Sequence, residues 1–260
     1  MIYVCLPSFD EAPTVGLVLW KIRRVFEAFP REYQLLVVDD GSTDMTSEVL
    51  EPYAKVLPLT VVRHPTRRGF ARSVEALVHL ALERTDRPKR DALILMHADF
   101  THGPQYLPDF VRQLESGADL VVGEAATLQG EPSLGRRMVR RYATHLLPRR
   151  LRVAGIRDMT SGFAAFRLMT LRNALRHPTA TLLQSEGWAA TAELIARAAR
   201  HARRVESVPM VERYDLRTRA SRTDPWVAAR QLWRRSRALE LPTEPRGNGA
   251  RTAAVEGAAR

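Results

Sequence analysis

The sequence predicts an α/β fold with a mostly parallel central sheet flanked by helices. Short, continuous apolar runs alternate with amphipathic segments through the first half of the chain. Strands that are apolar throughout are typical of a parallel sheet covered by helices on both faces. The chain has 260 residues, of which 45% are hydrophobic, so it is long enough to bury the core of one large domain.

Hydrophobic periodicity assigns the elements of the first half in chain order. The predicted strands cover residues 2–8, 33–40, 59–64, 92–99 and 118–125. The predicted helices between them cover residues 14–29, 45–57, 70–84 and 104–115. Parallel strands end at one edge of the sheet, where ligands bind. We therefore expect one shared edge to hold the polar residues 8–11, 39–42, 97–102 and 123–125.

The second half of the chain is less regular. It predicts an arginine-rich helix at 134–151, a turn and short strand at 155–167, helices at 168–175 and 187–200, and a strand at 205–213. Tryptophans among arginines at 226–239 fit either an interfacial helix or a terminal helix packed on the domain. The predicted organisation is a domain over 1–222, an amphipathic helix over 223–241 and a disordered tail over 242–260.

The net charge of +11 comes almost entirely from arginine, which supplies 37 of the 40 basic side chains. Residues 131–157 hold eight arginines and one acid. The planar guanidinium suits phosphate groups, so phosphorylated small molecules and lipid headgroups are candidate partners. A nucleic-acid partner is not favoured, because neither a helix-turn-helix nor an aromatic stacking platform is recognisable.

The location is predicted from what the sequence lacks. A single cysteine, Cys5, excludes a disulfide framework and fits a reducing compartment. No apolar stretch approaches the roughly 18 residues of a membrane span, and no signal peptide precedes the first strand. We expect a cytoplasmic protein, either free or peripheral on the inner face of the membrane.

Two motifs after the first two strands are candidates for nucleotide binding. In PSFDEA (7–12), Glu11 either accepts hydrogen bonds from ribose hydroxyls or is an acid at a helix N-terminus. In VVDDGSTD (37–44), the adjacent Asp39 and Asp40 repel each other unless something compensates. The N–H donors of a base would do so, and an ordinary turn that caps the next helix is the alternative.

The segment MHADFTH (96–102) is a candidate metal site. Asp99 offers a carboxylate, with His97, Thr101 or His102 assisting. Mg²⁺ prefers oxygen ligands, whereas imidazole suits softer transition metals, so His97 favours Mn²⁺ over Mg²⁺. A strand end held by hydrogen bonds without any metal is the alternative.

The segment RDMTSGF (157–163) places Asp158 on a turn beside Thr160, Ser161 and Gly162. Its two hydroxyls and its backbone N–H groups suit a sugar or a phosphate. Without further context, stabilisation of the turn is the favoured interpretation of the Asp158 side chain.

Six motifs, taken in order, resemble the family 2 glycosyltransferases: PSFDEA, VVDDGSTD, HADFTHGP, DLVVGE, RDMTSGFAAFR and VESVPMVERY. The resemblance covers residues 1–222 and is strongest to the dolichol- or polyprenol-phosphate mannose and glucose synthases. It implies a GT-A fold, a nucleotide-sugar donor of the GDP-mannose or UDP-glucose type, and inversion at the anomeric carbon.

The resemblance also implies roles for individual residues near the donor. The positions that would face the nucleotide are Pro7, Ser8, Glu11, Asp39 and Asp40.

The two acids of the family's metal motif fall on His97 and Asp99, and the next metal-binding position falls on Thr101. These three would hold the divalent cation, Mn²⁺ or Mg²⁺. Asp99 and Asp158 are the candidate catalytic residues.

The acceptor phosphate would meet Arg136, Arg140, Ser161 and Arg217, and Glu193 matches an acid on a later helix. The predicted acceptor is therefore anionic, a polyprenyl or dolichyl phosphate. The alternatives are a soluble hydroxyl acceptor, which needs a base from among Asp99, Glu124 and Asp158, and a non-catalytic nucleotide-sugar-binding protein.

Three features depart from the family pattern. His97 replaces a metal carboxylate, and Glu124-Ala125 stands where the lipid-phosphate subgroup has Ser-Arg. Many relatives also carry C-terminal membrane helices, for which this sequence has no candidate. The need for a metal and the nature of the acceptor are therefore open at the level of sequence.

Overall fold

A computed structural model describes residues 1–130, 134–175, 182–216 and 224–239. Within these residues the chain forms seven strands and eight α-helices. In chain order they are β1 (Ile2–Ser8), α1 (Val15–Ala28), β2 (Tyr33–Asp39), α2 (Thr46–Val56), β3 (Leu59–Arg63), α3 (Phe70–Arg84), β4 (Ala92–Leu95), α4 (Leu107–Glu115), β5 (Leu120–Gln129), α5 (Leu134–Leu146), β6 (Ala164–Arg167), α6 (Leu168–Ala174), α7 (Trp188–Ala199), β7 (Val205–Arg213) and α8 (Pro225–Ala238).

The strands form one sheet in the order β3-β2-β1-β4-β6-β5-β7. Every neighbouring pair is parallel except the two that involve β6, which runs antiparallel to both β4 and β5. The prediction of a mostly parallel sheet flanked by helices is therefore confirmed.

The reversed strand β6 decides which loops meet. Ala164, the first residue of β6, pairs with Leu95 at the end of β4 and with Val122 in β5. The turn that precedes β6 therefore lies at the same edge of the sheet as the carboxyl ends of the parallel strands. That edge is where an α/β sheet binds its ligands.

Alternating side chains of the central strands fill two separate cores, one on each face of the sheet. On β1, Tyr3 and Cys5 face the core built with α3, α6 and α7, whereas Val4 and Leu6 face the core built with α1 and α4. Complete burial raises the pKa of the Cys5 thiol well above its ordinary value. Cys5 is therefore a packing residue and not a reactive thiol.

Three element boundaries differ from the prediction by four residues or more. β4 ends at Leu95 instead of residue 99, because the N–H of His97 donates to the Nδ1 atom of His102 and not to a strand (3.2 Å). β5 continues to Gln129 because β7 pairs with it along its whole length. The helix predicted over 134–151 ends at Leu146, and a separate 3₁₀ turn follows Pro148, which has no N–H to continue the helix.

The C-terminal helix α8 packs against the domain. Its N-terminus is capped by the Asp224 carboxylate, which accepts from the N–H groups of Trp226 (2.8 Å) and Val227 (3.0 Å). Leu232 on its inner face and Leu239 just after it belong to the buried core. The predicted tail at 242–260 lies outside the described residues. In the parts of the chain that the structure covers, no helix has the length and hydrophobicity needed to cross a membrane.

Asp119 joins three segments at the opposite edge of the sheet. Its carboxylate accepts from the backbone N–H (2.9 Å) and the guanidinium Nε (3.0 Å) of Arg203, and its carbonyl accepts from the N–H of Arg167 (2.8 Å). Burial raises the pKa of the Asp119 carboxyl, but the hydrogen bonds and charge of Arg203 outweigh burial and leave it below its usual value of 3.8.

We predict that Asp119→Asn lowers the free energy of unfolding by about 1 kcal/mol at neutral pH, because the variant keeps the shape and loses the charge. The pKa of Asp119 is lower in the folded state, so its stabilisation is present above pH 3.8 and is lost as the pH falls further. Denaturant unfolding of both proteins from pH 7 to pH 3 measures the difference. Asp86→Asn, at an exposed position, is the control. If the difference in free energy of unfolding between the wild type and Asp119→Asn stays constant with pH, the Asp119 carboxylate does not stabilise the fold through its charge.

Candidate functional site

The loops after β1 and β2 are bonded to each other at the carboxyl edge of the sheet. The N–H of Asp10 donates to the Ser42 hydroxyl (2.9 Å), and the N–H of Thr43 donates to the Asp10 carboxylate (2.8 Å). The N–H of Glu11 donates to the hydroxyl of Thr46 (2.8 Å). The predicted nucleotide residues of the two strands therefore share one rigid surface.

The adjacent acids Asp39 and Asp40 are both buried, and the protein itself supplies donors for them. Asp39 accepts from the N–H of Ser42 (2.9 Å) and from the hydroxyl of Ser47 (2.5 Å). Asp40 accepts from the N–H groups of Arg68 (2.9 Å) and Gly69 (2.8 Å).

The Asp40 carboxylate also contacts Nδ1 of His64 at 2.7 Å. The repulsion that the sequence suggested a nucleotide would relieve is thus already compensated, for Asp39 by Ser42 and Ser47 and for Asp40 by the loop between β3 and α3. Contact of Asp39 and Asp40 with a nucleotide stays a prediction.

Sequence reasoning missed two side chains at this edge, His64 and Arg67. The guanidinium of Arg67 lies 4.2 Å from the centre of the Phe9 ring, which places a cation beside the end of β1. His64 directly follows β3 and Arg67 lies in the same loop. The rule that loops at the carboxyl ends of parallel strands meet would therefore have found both residues.

Ser8, the last residue of β1, has a buried hydroxyl oxygen with no hydrogen-bond partner among the described residues. Buried hydroxyl groups nearly always have a partner, and leaving one unmade costs free energy. A ligand at the end of β1 would provide that partner. Pro7, beside it, is partly exposed and pairs with Val38 in the sheet.

The loop after β4 is anchored to the end of β7. The Asp99 carboxylate accepts from the N–H of Thr101 (3.1 Å), and the carbonyl of Thr101 accepts from the N–H of Arg213 (3.0 Å). The buried His102 lies with its Nε2 atom 3.9 Å from a carboxylate oxygen of the equally buried Glu212. The Asp99 loop is therefore anchored to the end of β7.

The ring of His97 faces the turn before β6. A Cβ atom added to Gly162 would lie 2.3 Å from its Nε2 atom, so only glycine leaves room for the ring. The centroid of the His97 ring is 4.4 Å from that of His102. Within the residues that are described, no three side chains of His, Cys, Asp or Glu converge as a metal centre. Of the predicted ligands, Thr101 is buried, His97 contacts Gly162, and Asp99 offers the carboxylate.

The turn before β6 is held by its own side chains. The Asp158 carboxylate accepts from the N–H (3.0 Å) and the hydroxyl (2.9 Å) of Thr160, as a turn-stabilising aspartate does. Ser161 is fully buried and its hydroxyl bonds the backbone of Phe163, which accounts for this side chain without an acceptor phosphate.

Two neighbouring elements support this turn. The carboxylate of Glu124, in β5, accepts from the N–H of Arg157 (2.6 Å). The hydroxyl of Thr144, in α5, accepts from the N–H of Met159 (3.0 Å). The turn is therefore bonded to both β5 and α5.

The remaining predicted site residues are three arginines for the acceptor phosphate and the acid Glu193. Arg136 and Arg140 belong to α5, and their side chains are not among those described; Arg217 lies outside the described residues. Glu193 is fully buried and accepts from the N–H groups of Gln184 and Ser185 (both 3.0 Å), so it holds the segment before α7.

Comparison with known proteins gives relatives along most of the chain. The family model described as "Glycosyl transferase family 2" matches residues 3–175. The undecaprenyl-phosphate mannosyltransferase of Micrococcus luteus is 30% identical over 209 residues, which cover 79% of this chain and 80% of the relative. The polyprenol monophosphomannose synthase of Mycolicibacterium smegmatis is 28% identical over 213 residues, which cover 80% of this chain and 75% of the relative.

Solved structures share the fold at low sequence identity. Glucosyl-3-phosphoglycerate synthase from Mycobacterium tuberculosis, in complex with Mn²⁺, UDP and glucosyl-3-phosphoglycerate, matches with a TM-score of 0.59 at 20% identity, over 92% of this chain and 77% of that one. S. aureus TarS in complex with UDP matches with a TM-score of 0.53 at 17% identity, over 80% of this chain and 57% of TarS. The chain thus spans less than two thirds of TarS. These neighbours have the GT-A fold, which confirms the predicted fold.

We predict that Gly162→Ala lowers the free energy of unfolding by roughly 1–3 kcal/mol, because its Cβ atom would overlap the His97 ring. Most of this cost should disappear when His97 is Ala, since the free-energy effects of substituting two residues in contact are not additive. Unfolding of the wild type, the two single variants and the double variant measures the coupling. An equal cost of Gly162→Ala in both backgrounds contradicts the contact.

Proposed function

This chain belongs to glycosyl transferase family 2, and we propose that it transfers a hexose from a nucleotide-sugar donor to a polyprenyl phosphate, with inversion at the anomeric carbon. The names of its two mannosyltransferase relatives support this acceptor. The observation that carries the proposal is the contact of His97 with Gly162, which joins the loop after β4 to the turn before β6. Donor and acceptor would meet across that contact.

We assign the donor nucleotide to the loops after β1 and β2, where Pro7, Ser8, Glu11, Asp39 and Asp40 lie at one edge of the sheet. The unpartnered hydroxyl of Ser8 supports this assignment, because a ligand there removes the cost of leaving it unpaired. The donor is of the GDP-mannose or UDP-glucose type.

A divalent cation fits this site if the phosphates of the donor supply some of its ligands. Mg²⁺ and related ions are often held by one or two carboxylates together with substrate phosphates. Asp99 is suited to that role. Among the described residues, no third His, Cys, Asp or Glu side chain converges with His97 and Asp99 to hold a cation without the donor. When bound, the cation would neutralise charge on the pyrophosphate of the donor.

The proposed reaction is a direct displacement at the anomeric carbon. An oxygen of the acceptor phosphate forms the new bond to that carbon, and the bond to the donor's phosphate oxygen breaks, so the nucleoside diphosphate leaves with the electron pair. A phosphate monoester has a second pKa of about 6, so its oxygen is ionised near neutral pH and needs no general base. Arg136, Arg140 and Arg217 are the proposed contacts of the acceptor phosphate.

The carboxylates near the acceptor turn support an acceptor of this kind. A hydroxyl acceptor would need a base within hydrogen-bond reach. Asp158 and Glu124 instead accept from the turn itself, at Thr160 and Arg157. We therefore give Asp158 the role of shaping the turn and Asp99 the role nearest to the leaving group.

We predict that Ser8→Ala leaves the melting temperature without ligand unchanged or raises it, because the variant removes a buried polar atom that has no partner. The same variant should weaken binding of the preferred nucleoside diphosphate about fivefold, the equivalent of roughly 1 kcal/mol. A thermal-shift panel of GDP, UDP and ADP, with and without Mn²⁺, measures both effects, because a ligand of the folded state raises the melting temperature. The exposed Ser116→Ala is the control. Undiminished binding by Ser8→Ala removes Ser8 from the donor site.

We predict that Asp99→Asn reduces hexose transfer by roughly a hundredfold, because it removes the carboxylate that would hold the cation that neutralises negative charge on the leaving group. Transfer of labelled hexose to a short-chain, water-soluble polyprenyl phosphate measures the rate, with donor saturating and Mn²⁺ present. Asp109→Asn, on the exposed face of α4, is the matched control. Wild-type turnover by Asp99→Asn would exclude Asp99 from the reaction, and transfer to soluble hydroxyl acceptors alone would refute the phosphate acceptor.

A further inference from the structure

We propose that α5 and α8 together form a surface that docks on an anionic lipid bilayer. This inference rests on the proposed function, since a polyprenyl phosphate acceptor is embedded in a membrane. The α5–α8 surface consists of the exposed arginines and large apolar residues described on these two helices: Leu134, Arg137, Met138, Arg141, Tyr142, Trp226, Val227, Arg230, Trp233, Arg234, Arg235 and Arg237.

Large apolar side chains are concentrated on this surface. Of the eleven large hydrophobic side chains that the described residues leave exposed, six lie on α5 and α8. Trp226 is 65% exposed and Trp233 is 42% exposed. Helices α5 and α8 pack against each other, so these side chains lie on neighbouring elements. Exposed apolar side chains grouped in this way mark an interaction site, and tryptophan is typical of the interface between a membrane and water.

Each helix presents its apolar residues as a stripe. On α5 the three apolar residues Leu134, Met138 and Tyr142 follow each other at intervals of one turn. On α8, Trp226 and Trp233 are seven residues apart and therefore lie on one face. The spacing of these exposed residues is that of an amphipathic helix lying in the plane of an interface.

The opposite face of α8 is already occupied. Leu232 is fully buried in a core that also contains Ala143 and Leu147. The guanidinium of Arg150 donates to the carbonyl groups of Arg237 (2.7 Å) and Leu239 (3.2 Å) at the end of α8. One face of this helix therefore packs on the domain, as one of the two predicted interpretations requires, and the other face is left exposed.

The charge of the surface is of one sign. Neither α5 nor α8 contains an aspartate or a glutamate. Among the side chains described on these helices, the exposed arginines are Arg137, Arg141, Arg230, Arg234, Arg235 and Arg237. The guanidinium of Arg237 lies 4.2 Å from the centre of the Trp233 ring, so cationic and aromatic groups alternate within one patch. Anionic lipid headgroups complement the arginines, and the acyl region accommodates the apolar side chains.

Other candidate partners do not match both the charge and the hydrophobicity of the surface. A nucleic acid would pair with the arginines and leave the exposed leucine, methionine and tryptophan side chains against phosphate groups. A second copy of the chain in a two-fold interface would bring arginines opposite arginines, with no acids to compensate. A bilayer satisfies both the charge and the hydrophobicity.

The surface is connected to the acceptor turn. Thr144 in α5 bonds Met159 in the turn before β6, so α5 contacts that turn directly while its outer residues belong to the α5–α8 surface. Docking through α5 would therefore bring the acceptor turn near the plane of the headgroups, where the phosphate of a polyprenyl phosphate lies.

The test is co-sedimentation of the full chain with vesicles of phosphatidylcholine, alone or with phosphatidylglycerol in equal parts, without donor or acceptor. We expect binding only to the anionic vesicles, and we expect Trp226→Ala together with Trp233→Ala to weaken it on the order of tenfold. Trp20→Ala is the matched control, because Trp20 is also about half exposed, at 49%, and has Arg24 over its ring as Trp233 has Arg237.

A second pair of variants tests the charge. Arg230→Gln with Arg234→Gln should weaken binding by roughly fivefold for each arginine, whereas Arg23→Gln with Arg24→Gln on α1 should leave it unchanged. Absence of binding to anionic vesicles, an equal loss in the α1 controls, or a dimer that the α8 variants dissociate would each overturn the proposal.

Transfer assays separate this proposal from the proposed function. The double tryptophan variant should keep wild-type transfer to a water-soluble, short-chain polyprenyl phosphate and lose transfer to a long-chain acceptor in vesicles. If the wild type binds anionic vesicles and transfers hexose to neither acceptor, the docking surface stands and the proposed function fails. If the wild type transfers hexose to the soluble acceptor and does not bind anionic vesicles, the proposed function stands and the docking surface fails.

Discussion

The reversed strand β6 is the constraint on which the rest of the site depends. Because it runs antiparallel between β4 and β5, its N-terminal end lies among the carboxyl ends of the parallel strands. The Asp158 turn therefore reaches the edge of the sheet that also carries Ser8, Asp40 and Asp99. A parallel strand in that position would have put the turn at the opposite edge, away from all of them.

The polar groups at this edge are fixed before any ligand binds. Asp39, Asp40 and Asp158 each accept hydrogen bonds from neighbouring loops, and the Asp99 loop is tied to β7 through Thr101. A site whose side chains are already held loses less conformational entropy when it binds. The Ser8 hydroxyl is the exception, since its partner is absent from the described residues.

The arginine-rich helix α5 connects the acceptor turn to the α5–α8 surface. The arginines of α5 and α8 account for part of the large positive charge, and the packing of these helices places them beside exposed aromatic and aliphatic groups. The Thr144–Met159 bond links this surface to the acceptor turn. In this arrangement, recognition of a bilayer and of a phosphate on its surface would use adjacent parts of one helix.

The sequence by itself determined the α/β class, most strand and helix positions, and the family, because apolar periodicity and the order of short motifs are local properties of the chain. Only the tertiary structure decided how the polar residues are used. Asp40 is bonded by His64 and by the loop before α3, Ser161 is buried under its turn, and His97 packs on Gly162. These partners are distant in sequence, and which donor satisfies a given carboxylate or hydroxyl depends on how the strands are ordered in space.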